Sequence, residues 1–343
     1  MVQRCFDNLE VQHRKHCSVL DFWKHYQSSL QLTLHTSESS LSSLIKESGL
    51  HRPGLAMAGF TSVFSSHQIQ MIGSTEWSYL ESLEKEKRQA IFQDLSAFRS
   101  PLWVLTHNLK PHAELIAMCE QQNVPLISTQ LQTVDFARAT QRILEEYFAP
   151  YTSVHASLVD VYGVGMLYLG ESNVGKSECV LDLVERGHRL VADDVVQLSH
   201  VGNSIIGRSN SLIRHHMEIR GIGIIDVRSM FGIHAVRKVK KVEVLVELQP
   251  WQQNTTYDRT GLSSTVDEIM GVKIPRVLIP VSPGKNLTVI SEVIAMNTLM
   301  KMSGLDTASA FNESLLRAIE QKTHGRRLDD AFEEDPLNWD SYE

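Results

Sequence analysis

A glycine-rich loop between an apolar run and a helical run constrains the fold of this chain more than any other feature. Residues 168–180 have the sequence YLGESNVGKSECV, in which Gly170, Gly175, Lys176 and Ser177 match the pattern G-x-x-x-x-G-K-[ST]. Glycines let backbone N–H groups wrap a β-phosphate, the lysine adds positive charge, and the serine hydroxyl can bind Mg²⁺. The strand–loop–helix context predicts an α/β fold that binds a nucleotide or another polyphosphate. The predicted phosphate-binding residues are Gly170, Glu171, Ser172, Asn173, Val174, Gly175, Lys176 and Ser177.

The two apolar runs that precede and enter the loop predict a β-hairpin, with the sequence SLVDVYGVGMLYLG. A turn centred between Gly163 and Val164 would place Gly170 opposite Ser157. His155, two residues further, would then lie near the phosphate end of the strand. A histidine there can orient a nucleophile, contact phosphate or exchange a proton, and the alternative is a histidine with structural contacts only.

Two adjacent acids, Asp193 and Asp194, follow the apolar run RLVA, 17 and 18 residues after Lys176. P-loop proteins often place a carboxylate near Mg²⁺ or near the nucleophile at the end of such a strand. One of the two acids can accept a proton from an acceptor hydroxyl while the other organises water or metal. The alternative is a pair of solvated turn residues.

Further charged residues lie in β-rich and loop-like segments. Glu218 and Arg220, within HHMEIRGIGIIDVRSMFG, would share one face of a strand, where a carboxylate suits Mg²⁺ and a guanidinium suits phosphate. A surface ion pair is the alternative for these two. Arg259 in YDRTGL and Lys285 in PVSPGKNL are cations that can bind phosphate or remain solvated surface charges.

The length of 343 residues predicts two domains. Strand–helix–strand patterning predicts a small α/β domain of open role over residues 1–150 and a P-loop catalytic domain over 151–321. Residues 322–343 are acidic, lack a regular pattern and are predicted to be poorly ordered. The predicted helices are 77–95, 110–122, 136–150, 177–187, 292–302 and 305–321, and the predicted strands outside the hairpin are 101–107, 124–129 and two within 188–198.

Composition excludes some classes of function. The net charge of −7 gives no electrostatic argument for nucleic-acid binding. No apolar run approaches the length that spans a bilayer, and the N-terminal residues MVQRCFDNLEVQHRKHC lack a signal-type apolar stretch. The four cysteines are scattered, which is typical of reduced thiols. We therefore expect a cytoplasmic protein.

These stretches together resemble one family, the bifunctional HPr kinase/phosphorylases of bacteria. The resemblance covers roughly residues 50–320, in the family's order. It implies ATP- or pyrophosphate-dependent phosphorylation of a serine of HPr, the small phosphocarrier protein of the sugar phosphotransferase system. It also implies the reverse reaction, in which inorganic phosphate attacks the phosphoserine and pyrophosphate is released. The matching segments are HRPGLAMAGF, IQMIGSTEWSYL, VPLISTQLQTVDF, HASLVDVYGVG, GESNVGKSE, RGHRLVADD, MEIRGIGIIDV and IPVSPGKNLTVISEVIAMN.

The resemblance implies a role for each matched residue. Lys176 and its loop would hold ATP or pyrophosphate, and Ser177 and Glu218 would bind Mg²⁺. Asp194 would accept the serine proton in the kinase direction and return it in the reverse direction, and His155 would help to set its protonation state.

The resemblance also extends beyond this loop. It implies that Arg259 stabilises phosphate charge, that residues 217–226 serve both activities, and that residues 280–285 serve dephosphorylation. It implies a homohexamer with the kinase domains at its centre.

The chain departs from the family pattern at two places. Asn173 stands where the family loop often has glycine, and asparagine tolerates left-handed backbone angles. Ser282 and Lys285 stand where basic residues are common, Lys285 most simply in place of an arginine. This second departure concerns the phosphorolysis half of the activity and leaves the kinase half untouched.

Three hypotheses result. The first is the HPr serine kinase/phosphorylase. The second is a P-loop kinase of the same fold that acts on another acceptor or lacks phosphorolysis, the latter favoured by Ser282. The third is a nucleotide-sensing regulator without transfer activity, against which the acid Asp194 beside an intact loop argues.

Overall fold

The computed structural model describes residues 6, 9–210, 213–251 and 265–323. These residues fall into two compact units, one of which is Val11–Tyr151. The other runs from Thr152 and includes the residues before Val11. The sequence-based boundary assigned all of residues 1–150 to the first domain, but Phe6 packs in a core cluster of the second unit.

The first unit is a largely parallel sheet with its strands in the order β2-β7-β6-β5-β4, in which β2 pairs antiparallel to β7 and the other neighbours are parallel. The strands β1 and β3 form a separate antiparallel pair. A short 3₁₀ helix covers Glu38–Ser42. The strands are β1 (Cys17–Ser18), β2 (Leu32–Leu34), β3 (Leu44–Ile45), β4 (Leu50–His51), β5 (Ile69–Ile72), β6 (Trp103–Leu105) and β7 (Leu126–Thr129), and the helices are α1 (Val19–Tyr26), α2 (Gly54–Met57), α3 (Ser74–Glu81), α4 (Lys85–Leu95), α5 (Ala113–Gln121) and α6 (Thr133–Phe148).

Helices cover both faces of this sheet, which is why β5, β6 and β7 are buried along their whole length. One hydrophobic cluster contains Phe22 of α1 and Phe136 of α6. The cluster on the other face contains Phe92 of α4 and Leu115 of α5.

The sequence-based elements of the first unit are confirmed, with one difference. The predicted strands and the helices at 110–122 and 136–150 correspond to β6, β7, α5 and α6. The single helix predicted over 77–95 is wrong, because α3 ends at Glu81 and α4 begins at Lys85. Periodicity alone does not reveal this break, since the intervening residues Ser82, Leu83 and Glu84 include no glycine or proline.

The second unit contains a mixed sheet in the order β11-β9-β10-β17-β19-β18, a further sheet in the order β16-β13-β12-β8, and the ribbon β14-β15. A short 3₁₀ helix covers Ile233–Ala235. The strands are β8 (Tyr151–His155), β9 (Ser157–Val161), β10 (Val164–Leu169), β11 (Arg189–Ala192), β12 (Val195–Val201), β13 (Ser204–Ser209), β14 (His216–Ile219), β15 (Gly223–Asp226), β16 (Val239–Lys241), β17 (Val244–Pro250), β18 (Thr265–Ile269) and β19 (Val272–Val281), and the helices are α7 (Lys176–Glu185), α8 (Val227–Phe231), α9 (Leu287–Met302) and α10 (Thr307–Thr323).

Two hydrophobic clusters enclose the strand that leads into the phosphate loop. Met166 and Tyr168 of β10 pack in the cluster that also contains Leu183 of α7 and Ala295 of α9. Leu167 and Leu169 of β10 face the other way and pack with residues of β12 and β13. The loop after β10 is therefore held by a strand that is buried on both faces.

The predicted hairpin is confirmed, but its predicted register is wrong by two residues. Its turn is Tyr162-Gly163, and both residues have positive φ, 51° and 85°, as in the two-residue turns that suit hairpins. Tyr168 therefore pairs with Ser157, where the sequence-based register placed Gly170. His155 ends β8, two residues before β9 begins, and so lies beyond the paired positions of the hairpin.

The remaining elements of the second unit agree with the sequence. The helix after the loop is α7, and Gly187 follows it with φ +96°. The run 188–198 contains β11 and the start of β12, and the two last predicted helices are α9 and α10. Of the predicted tail, residues 324–343 lie outside the described residues. No helix within the described part of the chain has the length and apolar character to cross a membrane.

Gly165 gives a test of the hairpin's packing. A Cβ added there would overlap the carbonyl oxygen of Lys241. We expect Gly165→Ala to lower the free energy of unfolding by about 1–3 kcal/mol, the usual cost of overpacking, as measured by urea denaturation. Gly163→Asn in the turn is the control, because a Cβ there meets nothing within 4 Å and asparagine tolerates positive φ. Equal stability of Gly165→Ala and the parent chain would contradict this packing.

Candidate active site

The loop between β10 and α7 has the backbone that phosphate binding requires. Gly170, Asn173 and Gly175 have φ values of +142°, +78° and +96°, which suit glycine and, less readily, asparagine. A Cβ on Gly170 would overlap the carbonyl oxygen of Leu248 on the neighbouring β17. Gly175 is the N-cap of α7, so the N–H groups of the first helical turn face the loop.

Lys176 is held across this loop. Its Nζ donates hydrogen bonds to the carbonyl oxygens of Gly170 at 2.9 Å and Glu171 at 3.0 Å. Burial lowers the pKa of the Lys176 ammonium, and the nearby carboxylates of Asp193 and Asp194 act in the opposite direction. The charge is therefore fixed inside the loop, where it can attract phosphate oxygens.

A polar cavity of about 110 Å³ opens at this loop. The hairpin, the acids after β11 and the ribbon β14-β15 all contribute to its wall. Of the predicted loop residues, Gly170, Glu171 and Val174 do not line it: the first two hold Lys176, and Val174 packs against the core. The lining residues are His155, Ser157, Ser172, Asn173, Gly175, Lys176, Ser177, Glu178, Asp193, Asp194, Glu218 and Arg220.

His155 and Asp194 form a pair at the mouth of the cavity. The Nδ1 atom of His155 lies 2.9 Å from Oδ1 of Asp194. Both side chains are more than half exposed, at 55% and 57%, so an incoming hydroxyl group has access to them. A carboxylate oriented by an imidazole in this way can accept a proton from a bound hydroxyl.

The backbone places the Asp194 side chain by means of a tight turn. Strand β11 pairs with β9 through a register shift between Leu190 and Ala192, and such bulges redirect side chains next to active sites. Val195 N then donates to the carbonyl oxygen of Asp193 at 2.8 Å, and Asp194 between them has φ +66°. Strain of this kind at a non-glycine residue is common at functional sites.

Asp193 is buried, in contrast to its neighbour. Its Oδ1 accepts a hydrogen bond of 2.5 Å from the Ser157 hydroxyl. Burial raises the pKa of the Asp193 carboxyl, and the hydroxyls of Ser157 and Ser177 oppose this shift. Its Oδ2 is buried and has no hydrogen-bond partner among the described residues. The two adjacent acids thus differ in exposure and in partners.

The ribbon β14-β15 supplies the remaining charges. Glu218 pairs with Ile224 across the ribbon, and Arg220 follows β14 directly. Both charged residues are exposed and line the cavity. Arg220 adds a second cation to the cavity wall, where it can contact phosphate.

The oxygen donors around the cavity fit a magnesium ion. Among the described residues no cluster of three or more histidine, cysteine or acidic side chains forms a metal cage. Mg²⁺ is usually bound instead by one or two carboxylates together with substrate phosphates. Ser177, Asp193 and Glu218 line one cavity with the phosphate loop, and the unpartnered Asp193 oxygen can accept such a neighbour.

Lys285, one of the predicted phosphate-binding cations, lies away from this cavity. Lys285 donates from Nζ to the carbonyl oxygen of Pro280 at 2.8 Å, and it lines a separate cavity with Asp182 and Arg186. Arg259 lies outside the described residues.

Sequence reasoning missed Ser157 and Glu178 as residues of the cavity wall. Ser157 is a hydroxyl in an otherwise apolar strand end, which is a weak signal until its partner Asp193 is known. Glu178 follows the loop motif directly, so its position in the first turn of α7 was available from the motif.

Comparisons with known proteins cover both units. The family model described as HPr Serine kinase N terminus matches residues 18–144, and that of the HPr Serine kinase C-terminal domain matches residues 146–315. An HPr kinase/phosphorylase of Chloroherpeton thalassium is 42% identical over 309 residues, which are 89% of this chain and 91% of the relative. One of Prosthecochloris aestuarii is 44% identical over 277 residues, 80% and 82% of the two chains. The solved structure of the Hpr(Ser) kinase/phosphatase from Coxiella burnetii is 35% identical, covering 47% of this chain and 99% of its own, with a TM-score of 0.43.

The backbone strain at Asp194 can be measured. We expect Asp194→Gly to be more stable than Asp194→Ala by about 1 kcal/mol, because left-handed backbone angles cost an alanine roughly 1–2 kcal/mol. Urea denaturation of the two variants gives this difference. At Glu313, an exposed residue of α10, the order should reverse, because glycine weakens a helix. An alanine at 194 that is as stable as glycine would contradict the strained turn.

Proposed function

This chain belongs to the HPr serine kinase family, and from that premise we propose that it transfers a phosphoryl group between ATP or pyrophosphate and a serine of HPr, in both directions. Both family models match, and together they span residues 18–315. The chain is a kinase/phosphorylase enzyme with a P-loop. The observation that carries the proposal is the pairing of His155 with Asp194 at the mouth of the phosphate-loop cavity.

In the kinase direction, the loop and Lys176 hold the β- and γ-phosphates of ATP. The acceptor serine oxygen attacks the γ-phosphorus, and the bond from that phosphorus to the β–γ bridging oxygen breaks as ADP leaves. Asp194 accepts the serine proton, and His155 at 2.9 Å orients its carboxylate. Arg220 lies at the cavity, where it can stabilise charge on the transferred group. The resemblance adds Arg259 to this role.

In the reverse direction, the same groups act in the opposite order. An oxygen of inorganic phosphate attacks the phosphoserine phosphorus, and the serine oxygen leaves with the proton held by Asp194. Pyrophosphate forms in the loop. A carboxyl group that is both exposed and paired with an imidazole can exchange its proton in either direction, which supports one residue in both roles.

Magnesium is the proposed cofactor, and when bound it would neutralise charge on the phosphate oxygens. Ser177 and Glu218 are the residues proposed to hold it, with Asp193 beside them. We further propose, on the basis of the resemblance, that the chain forms a homohexamer in the cytoplasm and that HPr is its protein substrate.

An assay in both directions tests the proposal. Purified chain, HPr, ATP and Mg²⁺ should give HPr with one phosphoserine, detected by intact mass. After ATP is removed, inorganic phosphate should regenerate HPr and release pyrophosphate. If ATP binds but HPr gains no phosphate, the proposed acceptor is wrong.

Asp194→Asn tests the proton acceptor. We expect kcat for HPr phosphorylation to fall by about 10²- to 10⁴-fold, the usual contribution of a general base, while ATP affinity changes only a few-fold. Stopped assays and calorimetry measure the two quantities. Glu178→Gln removes the same charge from the cavity wall without touching His155, and its effect should stay below about tenfold. Equal losses in the two variants would indicate cavity charge rather than proton transfer.

A kinase that lacks phosphorolysis is a second candidate, favoured by the position of Lys285. Its ammonium is bound to the Pro280 carbonyl oxygen and lies at a separate cavity from the phosphate loop. Ser282 carries no charge where the family commonly has a cation. Under this candidate the assay gives phosphoserine but no pyrophosphate.

A double substitution distinguishes the two candidates. If phosphorolysis is weak because of residues 280–285, Ser282→Lys with Lys285→Arg should raise pyrophosphate release by at least about tenfold and leave HPr phosphorylation within about twofold. The reason is that the two changes restore the basic residues that the family commonly has in this segment. Pyrophosphate release that is rapid in the parent chain would exclude the second candidate.

A further inference from the structure

Ser157 is a buried polar residue of the cavity wall to which neither the loop motif nor the family resemblance gave a role. We propose that Ser157 is a positioning residue: it holds one oxygen of Asp193, so that the other oxygen faces the phosphate cavity and supports metal-dependent nucleotide binding. The inference rests on the proposed function, because it concerns the same nucleotide site and its Mg²⁺.

The contact between the two residues is short and shielded from water. Ser157 Oγ donates to Asp193 Oδ1 at 2.5 Å. Ser157 is 0% exposed and Asp193 is 4% exposed. Water therefore does not compete for this carboxylate oxygen, and a hydrogen bond to a buried charged group is stronger than one at the surface.

The strands fix this contact from both sides. Ser157 begins β9, where it pairs with Tyr168 of β10. Asp193 follows β11 directly, after Ala192 has paired with Leu158. The backbone of Ala156 also donates to the carbonyl oxygen of Asp194 at 3.1 Å. Both ends of the Ser157–Asp193 bond are thus held by backbone pairing, and the hydroxyl fixes the rotation of the carboxylate.

The second carboxylate oxygen of Asp193 is not used by the hydrogen bond to Ser157. Oδ2 of Asp193 is buried without a hydrogen-bond partner in the described part of the chain, an arrangement that is costly unless a ligand, ion or water binds there. Ser177 and Glu218 line the same cavity. A metal ion or its bound water on the Ser177 side would provide that partner, directly or through a hydrogen bond.

If the hydrogen bond between Ser157 and Asp193 only joined two strands, its removal would lower stability alone. If it positions the Asp193 carboxylate, its removal would also weaken metal-dependent nucleotide binding. Removing a hydrogen bond that orients a carboxylate near a metal typically costs about 10- to 100-fold in metal affinity or activity. Measuring ADP binding with and without Mg²⁺ distinguishes a structural role of Ser157 from a positioning role, and the measurement requires no acceptor protein.

The experiment is calorimetry of ADP binding to the full chain, in Mg²⁺ and in EDTA. In the parent chain Mg²⁺ should raise ADP affinity. In Ser157→Ala this gain should fall by about tenfold or more, while affinity in EDTA stays within about twofold. A parent chain without any Mg²⁺ gain, or a Ser157→Ala variant that keeps the full gain, would overturn the proposal.

Matched variants exclude a packing effect. Ser157→Thr keeps the hydroxyl and Ser157→Val has the same shape without it, so threonine should retain the Mg²⁺ gain and valine should lose it. Ser199→Ala removes another fully buried strand hydroxyl, one without a hydrogen-bond partner among the residues described, and should keep the gain. Equal behaviour of threonine and valine would overturn the proposal even where Ser157→Ala does not fold. If HPr gains no phosphate while these ADP results hold, the proposed acceptor fails and the role of Ser157 stands.

Discussion

The backbone hydrogen bonds of β9 are the interactions on which the rest of the site depends. This strand pairs with β10 on one side and with β11 on the other. Strand β10 leads into the phosphate loop, and β11 leads into Asp193 and Asp194. Ser157 begins β9, and His155 ends β8 two residues earlier in the chain. One strand therefore sets the separation between the groups that hold phosphate and the groups that hold the acceptor's proton.

The motif and the hydrophobic periodicity were enough to predict much of this arrangement. The loop residues, the hairpin, the acids after β11 and most helices follow from local patterns that the chain must satisfy by itself. The register of the hairpin could not be predicted in this way. The sequence suggested a turn centred after Gly163, whereas in the structure Tyr162 also adopts left-handed backbone angles and the turn lies one residue earlier. The break between α3 and α4 and the Ser157–Asp193 contact depend on tertiary packing, which no local pattern contains.

Lys285 shows that local sequence patterns do not predict the tertiary neighbours of a candidate site residue. The sequence identifies a cation in a glycine-containing loop, but which carbonyl oxygen or phosphate it meets depends on the path of the chain from β19 to α9. In the structure that path brings its ammonium to Pro280. The resemblance to a family could suggest a role for the position, and only the fold could give its neighbours.

Several groups that the site needs for phosphate binding and proton transfer reduce the stability of the fold. Lys176 and Asp193 are charged residues that are largely removed from water, and Asp194 has a backbone that L-residues rarely adopt. Neighbouring elements offset these costs. The carbonyl oxygens of Gly170 and Glu171 satisfy the lysine, and the strand pairs on either side of β9 hold the strained turn.

The three adjacent strands also have a consequence for how the chain folds. His155, the phosphate loop and both acids lie within one continuous stretch, residues 155–194, whereas β17, the other neighbour of β10, begins at Val244. Bringing together groups that are close in sequence costs little loop-closure entropy, and such local structure forms early. We therefore expect the strands β9, β10 and β11, together with the crossover helix α7, to be the folding nucleus of the second unit, to which the later strands add.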